Sequence, residues 1–255
     1  MDFFIYLILG YSVVAGLIWF IAYGYVLKQI YAPPKINRVN APDPTSFPSL
    51  SVLVPACNEA DTIRPALQSI LEQDYPNMEV IAINDRSTDQ TGEIIDQLAE
   101  QYDNLRAVHI EALPDRWLGK THALKKGYEI SEGDWVLATD ADVRYRRSAL
   151  RNIVSVALHH DRDHISCIPN MKNNGFWHEA AFDGFASLLF SQRNLAGVPD
   201  PESEDYFGFG AFNMFRRTVF DQTNGFEWLR MEVTDDMGIA QMLRDHGAKQ
   251  GVYYA

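Results

Sequence analysis

The feature that most constrains this chain is an uncharged apolar run near its N-terminus. Residues 3–27 contain no Asp, Glu, Lys or Arg over 25 positions. A helix of that length, at about 1.5 Å per residue, crosses a hydrocarbon core of about 30 Å. A cleaved signal peptide has a basic start and a shorter apolar stretch, whereas this chain begins with Met1 and Asp2. A buried core helix remains the alternative, but the run predicts a retained transmembrane anchor over residues 1–30.

The charges on either side of the run predict its orientation. Asp2 precedes the run, whereas Lys28, Lys35 and Arg38 follow it. Because basic flanks stay on the cytoplasmic side, we expect a single-pass anchor with the larger C-terminal part in the cytoplasm, as at a bacterial inner membrane. Residues 31–48 hold five prolines among polar residues, a composition typical of an extended, semi-rigid linker.

The charge of the chain argues against one class of partner. Its formal net charge is -12, and an acidic excess of this size repels polyanions, so we expect no nucleic-acid partner. The two cysteines, Cys57 and Cys167, lie far apart without metal-ligand spacing and are expected to be free thiols.

Short apolar runs and helical periodicities alternate from residue 50 onward. Strands are predicted over residues 50–54, 79–83, 105–110 and 135–139, and helices over residues 62–72, 91–102 and 120–130. This alternation predicts an α/β fold whose mostly parallel sheet is flanked by helices, with binding loops at the carboxyl ends of the strands. The second half is less regular, with helices predicted over residues 148–160, 179–194 and 235–244, and a strand near residues 165–168.

Polar residues follow the first two predicted strands. Asn58 and Glu59 lie between the first strand and a helix whose N-terminal amides can face an anion. Helix capping explains the same residue types equally well, so both roles stay open. Asp85 follows the second strand, where its carboxylate can accept a hydrogen bond from a pyrimidine ring N–H.

Two carboxylates follow the strand predicted over residues 135–139. One residue separates Asp140 from Asp142, so their side chains lie on the same side of an extended segment. Mg²⁺ and Mn²⁺ prefer oxygen ligands and commonly combine one or two carboxylates with phosphate oxygens of a substrate. Asp-x-Asp alone usually marks a turn, but the apolar strand before it favours a divalent metal site.

A second acidic pair, Asp235 and Asp236, stands at the start of the last predicted helix. Acidic residues are ordinary there because they complement the helix dipole. Two adjacent carboxylates in a crevice also suit general-base chemistry, because their repulsion raises one pKa and lets that group take a proton from a hydroxyl.

Taken in order, these segments resemble the motif series of the inverting family 2 glycosyltransferases, which have a Rossmann-like GT-A fold. The motifs are residues 54–59, 84–89, 140–142 and 234–236, and the resemblance extends from about residue 50 to the C-terminus. Residues 113–120 are similar to a subgroup associated with hopanoids and carotenoids, which glycosylates lipid-like acceptors.

The resemblance implies a role for each candidate. It implies that a nucleotide diphosphate sugar, with a UDP-sugar favoured, is bound by Pro55, Asn58, Glu59, Asp85, Lys120 and Asp140. Asp142, with Asp140 assisting, is implied to hold Mg²⁺ or Mn²⁺. Asp236 is implied to be the catalytic base. Asp235 stands where many members have Glu, so it is the second catalytic candidate, and which of the pair transfers the proton stays open. The implied acceptor is a lipid-like or saccharide hydroxyl, and the glycine-containing segment 207–214 corresponds to the stretch beside the acceptor site.

Two departures from the family pattern refine this expectation. Processive synthases carry a Gln-x-x-Arg-Trp motif after the base, and none follows Asp236, so transfer of a single sugar is favoured over chain elongation. Lipid-directed members continue into further membrane helices, whereas this chain ends at Ala255, so we expect either a short form or a truncated chain. On this view residues 49–255 form the catalytic domain.

Three rival functions remain to be weighed. A catalytically silent nucleotide-sugar-binding or scaffold protein needs the same fold, but not the intact Asp140, Asp142 and Asp236. A nucleotidyltransferase typically has a glycine-rich, basic phosphate loop, and residues 54–61 contain neither Gly nor Lys or Arg. A dehydrogenase is disfavoured because no G-x-G-x-x-G follows the first strand.

Overall fold

The central sheet has seven strands within the part of the chain that the structure describes. The computed structural model describes residues 2–170, 175, 177, 180, 184 and 193–255. The strands are β1 (Leu50–Ala56), β2 (Met78–Asp85), β3 (Leu105–Ile110), β4 (Trp135–Ala138), β5 (His164–Ile168), β6 (Asn213–Arg216) and β7 (Gln250–Tyr254). Their spatial order is β3-β2-β1-β4-β6-β5-β7.

The described helices follow or precede these strands along the chain. They are α1 (Asp2–Tyr31), α2 (Ile63–Leu71), α3 (Thr91–Ala99), α4 (Gly119–Ile130), α5 (Ala149–His159), α6 (Arg217–Phe220), α7 (Gly225–Leu229) and α8 (Asp235–Asp245), with a 3₁₀ turn at Ile36–Arg38. The helix predicted over residues 179–194 falls mainly outside the described residues.

The strand pairings confirm the mostly parallel sheet. β1 pairs in parallel with β2 and with β4, and β2 pairs in parallel with β3. In the pairing of β1 with β2, Leu53 lies opposite Ile81. Strand β6 runs antiparallel between β4 and β5, and β7 is parallel to β5. Because β1, β2 and β4 run in the same direction, the loops that follow them meet at one edge of the sheet.

Helices cover the sheet on both faces, as the alternation predicts. On one face Val52 and Val54 of β1 belong to the apolar core that includes Leu67 of α2. On the other face Leu53 belongs to the core that includes Leu124 of α4. Since both faces of β1 are buried, its sequence is apolar except for the buried Ser51, and each such Val or Leu contributes about 1.5–3 kcal/mol to folding.

Helix α1 projects its apolar side chains outward along most of its length. Residues 3–31 are long and apolar enough to cross a membrane, with a mean hydropathy of 2.2 over the most apolar window. Only the last turn enters the domain, where Gln29 is buried and Ile30 packs against a small apolar cluster.

The proline-rich segment, residues 31–48, lies against the α/β domain at several points. The N–H of Tyr254 in β7 donates to the carbonyl oxygen of Pro34 at 2.9 Å. Arg151 of α5 forms a 2.7 Å ion pair with Asp43. These contacts connect the predicted semi-rigid linker to β7 and to α5.

Candidate active site

A cavity of about 360 Å³ opens at the carboxyl ends of β1, β2 and β4. It is lined by Pro55, Ala56, Cys57, Glu59, Asp85, Lys120, Asp140, Ala141 and Asp142. Six of these residues are candidates from the sequence, and they come from four separate chain segments. The fold therefore gathers most of the predicted donor and metal residues around one space large enough for a small-molecule ligand.

The Asp-x-Asp pair lies in the loop that follows β4. Its strand-side neighbour, Thr139, is fixed by two hydrogen bonds: its hydroxyl donates to the carbonyl oxygen of Ala211 at 2.7 Å, and it accepts from the Tyr145 hydroxyl at 2.7 Å. Asp140 is partly buried, whereas Asp142 is exposed to the cavity opening. The loop is thus anchored behind its two carboxylates, which leaves them available for a ligand.

Lys120 stands between the two acidic pairs. From the first turn of α4, its Nζ lies 2.8 Å from Oδ1 of Asp140 and 3.4 Å from Oδ1 of Asp235. Burial alone would lower the pKa of Lys120, but the charges of Asp235 and Asp140 together outweigh burial and raise it. Lys120 is therefore a stable cation that joins the loop after β4 to the start of α8.

The second acidic pair has two distinct environments. Burial is the main cause that raises the pKa of Asp235 to about 6, and Lys120 only partly offsets it. Burial also raises the pKa of Asp236, while the N–H of Met237 donates to its Oδ1 at 2.8 Å and opposes the rise. Burial thus raises the pKa of both carboxyl groups, which makes each carboxylate a stronger base than a solvated aspartate.

Close backbone packing fixes the position of this pair. A Cβ atom at Gly208 would lie 1.9 Å from the carbonyl oxygen of Asp236, so only glycine fits there. The same carbonyl accepts a 3.0 Å hydrogen bond from Nδ2 of Asn213, whose Oδ1 lies 2.6 Å from Nε2 of the buried His164. The glycine-containing segment predicted beside the acceptor site therefore packs directly on the start of α8.

Asp85 is held at the end of β2 by its neighbour in the chain. Arg86 donates from Nε to Oδ1 at 2.8 Å and from Nη2 to Oδ2 at 3.0 Å. Gly119, the first residue of α4, approaches so closely that a Cβ there would lie 2.4 Å from Oδ2 of Asp85. The carboxylate accordingly has one defined orientation at the cavity wall.

The residues after β1 divide between lining the cavity and supporting it. Pro55 and Glu59 line the cavity, whereas Asn58 is not among its lining residues. Asn58 adopts a left-handed conformation (φ 59°), and its Oδ1 accepts from the N–H of Thr88 at 2.8 Å. The structure therefore gives Asn58 the role of joining the loops after β1 and β2.

The acidic groups fit a divalent cation that arrives with a phosphorylated ligand. Asp140 and Asp142 supply hard oxygen ligands on one wall of the cavity. Across the described residues, no group of three or more His, Cys, Asp or Glu side chains is placed to hold a metal. A cation at this pair would thus take its remaining ligands from phosphate oxygens and water, as Mg²⁺ commonly does.

Sequence reasoning missed three supporting residues. Arg86 follows Asp85 directly, and this adjacent charge is the signal that could have suggested their pairing. Tyr145 lies three residues beyond Asp142, and nothing in local periodicity indicates that its hydroxyl reaches Thr139. Cys57 was considered uninformative, yet it is exposed and lines the cavity.

The mostly parallel sheet, with two acidic pairs joined through Lys120, is that of a GT-A-type α/β domain, and comparison with known proteins gives the family. Residues 51–237 match the model of Glycosyl transferase family 2, which is most of the chain, so the chain belongs to this family. The family and the GT-A fold predicted from the motifs are confirmed.

Two curated relatives illustrate the range of the family. A beta-monoglucosyldiacylglycerol synthase of Nostoc sp. is 27% identical over 240 residues, which cover 91% of this chain and 47% of that protein. A poly-beta-1,6-N-acetyl-D-glucosamine synthase of Staphylococcus aureus is 25% identical over 255 residues, covering 97% of this chain and 58% of that protein. The chain thus spans about half the length of these curated relatives.

A solved structure shows the same fold. The mannosyltransferase PcManGT from Pyrobaculum calidifontis, in complex with GDP-Man and Mn²⁺, matches with a TM-score of 0.67 and 26% sequence identity. The match covers 92% of this chain and 64% of that one.

Proposed function

We propose that this protein is a membrane-anchored, inverting glycosyltransferase. It transfers a single sugar from a nucleotide diphosphate sugar, with a UDP-sugar favoured, to a hydroxyl of a lipid-like or saccharide acceptor. Residues 1–30 are the anchor, residues 31–48 connect it, and residues 49–255 form the catalytic domain on the cytoplasmic side. The chain's membership of family 2 and the GT-A fold support this proposal.

The observation that carries the proposal is the position of Lys120 between the two acidic pairs. One contact, 2.8 Å to Asp140, reaches the metal-type pair on the donor side, and the other, 3.4 Å to Asp235, reaches the pair at the start of α8. In a glycosyl transfer, the groups that stabilise the leaving diphosphate must lie close to the general base that activates the acceptor, and Lys120 contacts both pairs. Lys120 supplies positive charge to the donor diphosphate, which carries the charge that builds up in the reaction.

The base is assigned to Asp236. Its carboxylate takes the proton of the acceptor hydroxyl, and the resulting oxygen forms a bond to the anomeric carbon. The bond between that carbon and the diphosphate oxygen breaks in the same step, and the nucleoside diphosphate leaves with the electron pair. Because attack and departure occur on opposite faces, the configuration inverts. Burial of Asp236, which raises its pKa, favours its acting as a base near neutral pH.

The remaining side chains bind and orient. Asp85, which Arg86 holds in place, accepts a hydrogen bond from the ring N–H of uracil. Pro55 and Glu59 form the wall on which the nucleoside lies. A Mg²⁺ or Mn²⁺ ion held by Asp142 and Asp140 would neutralise charge on the departing diphosphate. Asp235 holds Lys120 in place across the cavity.

The test is release of free nucleoside diphosphate by the purified full chain in detergent. Nucleotide diphosphate sugars are screened with Mn²⁺, with Mg²⁺ and with chelator, in the presence of membrane lipid extract as the acceptor source. Asp142→Ala and Asp236→Ala are compared with Asp103→Ala, which changes an exposed carboxylate at the opposite edge of the sheet, before β3.

We expect metal-dependent release from one donor, lost in Asp142→Ala and in Asp236→Ala and retained in Asp103→Ala. Donor binding without release by the unmodified chain would favour a silent nucleotide-sugar-binding protein. Release of pyrophosphate from a nucleoside triphosphate and a sugar phosphate would favour a nucleotidyltransferase. Binding of no donor at all would overturn the proposal.

A further inference from the structure

The last turn of α1 docks specifically on the α/β domain. Gln29 is fully buried, whereas the preceding Lys28 is exposed and Tyr31 is 79% exposed. Burying a glutamine amide is unfavourable unless it is hydrogen-bonded. Among the described residues, Oε1 of Gln29 has a hydrogen-bond partner and Nε2 has none. The hydrogen bond of Oε1 is therefore the specific polar contact that fixes the end of an otherwise exposed helix.

Hydrogen bonds connect Gln29, through one loop, to the helix that carries the second acidic pair. Oε1 of Gln29 accepts a 3.3 Å hydrogen bond from the N–H of Ala196, in the loop of residues 194–205. Arg244 of α8 holds the same loop from its other side, because its guanidinium donates to the carbonyl oxygens of Val198 and Asp200. Arg244 lies on the helix that begins at Asp235 and Asp236, so the loop connects the anchor to that helix.

Apolar packing also connects the end of α1 to the start of α8. Ile30 packs against a cluster that contains Val198 and Phe207, and Met237 packs against this cluster as well. Met237 follows Asp236 directly, and its N–H donates to the carboxylate of Asp236. Its sulfur lies 3.3 Å from the N of Gly208, in the segment that packs on the start of α8. The end of α1 thus packs against the same cluster as Met237, the residue next to Asp236.

Asp85, on the donor side of the cavity, is held by a contact that does not involve α8. Arg86 pairs with its carboxylate. The loop that carries Asp140 and Asp142 is instead joined to the start of α8 through Lys120. A disturbance at the end of α1 should consequently reach the acceptor side of the site without displacing Asp85.

We propose that Gln29 is a positioning residue that couples the membrane helix to the general base. By holding the loop of residues 194–205 against α8, Gln29 fixes Asp236 relative to the acceptor hydroxyl. The inference rests on the proposed function, because it takes Asp236 as the base. It gives the anchor a second task besides membrane attachment.

The first test measures hydrogen–deuterium exchange in the full chain without any ligand. Gln29→Met keeps the length and burial of the side chain but cannot accept from Ala196. Lys28→Gln, at the exposed neighbouring position, is the control. We expect faster exchange at residues 194–210 in Gln29→Met, and unchanged exchange at residues 84–91, which carry Asp85. Lys28→Gln should match the unmodified chain throughout.

The second test separates donor binding from transfer. In Gln29→Met we expect the Kd for the donor to stay within about twofold of that of the unmodified chain. We expect kcat/KM for the acceptor to fall about tenfold or more, because a small displacement of a base relative to its substrate has an effect of this size. Hydrolysis of the donor by water should fall less than transfer.

Each failure has its own meaning. Unchanged exchange at residues 194–210 together with unchanged acceptor kinetics would overturn the role of Gln29. Equal loss of donor binding and transfer would also overturn it, because Gln29 would then support the whole domain. If the unmodified chain bound no donor, the proposed function itself would fail, and this inference would fall with it.

Discussion

The ammonium nitrogen of Lys120 lies 2.8 Å from Oδ1 of Asp140, so α4 is joined to the loop after β4 by an ion pair inside the cavity. In the proposed reaction, this cation also faces the diphosphate of the donor. Lys120 therefore takes part in donor binding and also keeps two carboxylates close together.

Replacing Lys120 tests its part in donor binding. In Lys120→Met we expect the Kd for the nucleotide diphosphate sugar to rise about tenfold, which corresponds to about 1.4 kcal/mol. Lys120→Arg should retain part of the affinity, since it keeps the charge but presents a planar group. Lys126→Met, which removes an exposed cation that pairs with Glu129, is the matched control. Isothermal calorimetry with Mn²⁺ measures the Kd of the three variants. Equal affinity in Lys120→Met and Lys126→Met would contradict the assignment of Lys120 to donor binding.

Gly119→Ala tests the orientation of Asp85. The new Cβ would lie 2.4 Å from Oδ2 of Asp85 and 2.8 Å from Nη2 of Arg86, so the ion pair must shift. We expect the Kd for UDP to rise about tenfold while the folded state persists, because two flexible side chains can move aside. Gly24→Ala, with no atom within 4 Å of the added Cβ, serves as the control. An unchanged Kd for UDP in Gly119→Ala would show that the orientation of Asp85 does not matter for binding.

Asn213→Asp tests the support behind the acidic pair. The substitution keeps an oxygen towards His164 but places an acceptor opposite the carbonyl oxygen of Asp236, which loses its donor. An unsatisfied buried polar group costs about 1–3 kcal/mol, so we expect a loss of stability of that size and a lower kcat. Urea unfolding and initial rates measure the two effects. Asn152→Asp, on the exposed face of α5, should change neither.

The buried His164 predicts a pH dependence of stability. Burial lowers its pKa to about 4, against the hydrogen bonds to Asn213 and Gln250, which raise it. Because the folded state then binds the proton less readily than the unfolded chain, the free energy of unfolding falls as the pH drops from about 6.5 to about 4. Between pH 7 and pH 5, this one group contributes a decrease of about 2 kcal/mol.

His164→Gln removes the titrating group and keeps a donor towards Asn213. Urea unfolding at pH 7 and pH 5 should therefore show a smaller pH-dependent loss of stability in His164→Gln than in the unmodified chain. The exposed His159→Gln should reproduce the unmodified pH dependence. An identical pH dependence in all three proteins would contradict the assignment of this effect to His164.

Local sequence patterns anticipated much of the fold. β3 occupies the predicted residues 105–110, and α4 begins one residue before its prediction, because the type and spacing of residues within each segment indicate a strand or a helix without reference to distant contacts. The carboxyl-end rule also anticipated that Asp85 and Asp140 would share one cavity, since their strands both flank β1.

The features that sequence reasoning missed depend on contacts between distant segments. β7 (Gln250–Tyr254) was not predicted; it is parallel to β5, some 80 residues earlier in the chain. The docking of Gln29 on residue 196 and the approach of Gly119 to Asp85 likewise have no local signature. Asn58 also joins the loops after β1 and β2 through its hydrogen bond to Thr88, which has no local signature either, and its role in donor binding stays a prediction.

The most direct test of the central claim compares the unmodified chain with Asp236→Asn in transfer of a labelled sugar. The donor is the nucleotide diphosphate sugar identified by the release screen, and the acceptor is membrane lipid extract. We predict that Asp236→Asn binds the donor with an unchanged Kd and transfers sugar at least about 100-fold more slowly, since it lacks the base. Transfer by Asp236→Asn at the rate of the unmodified chain would contradict the account.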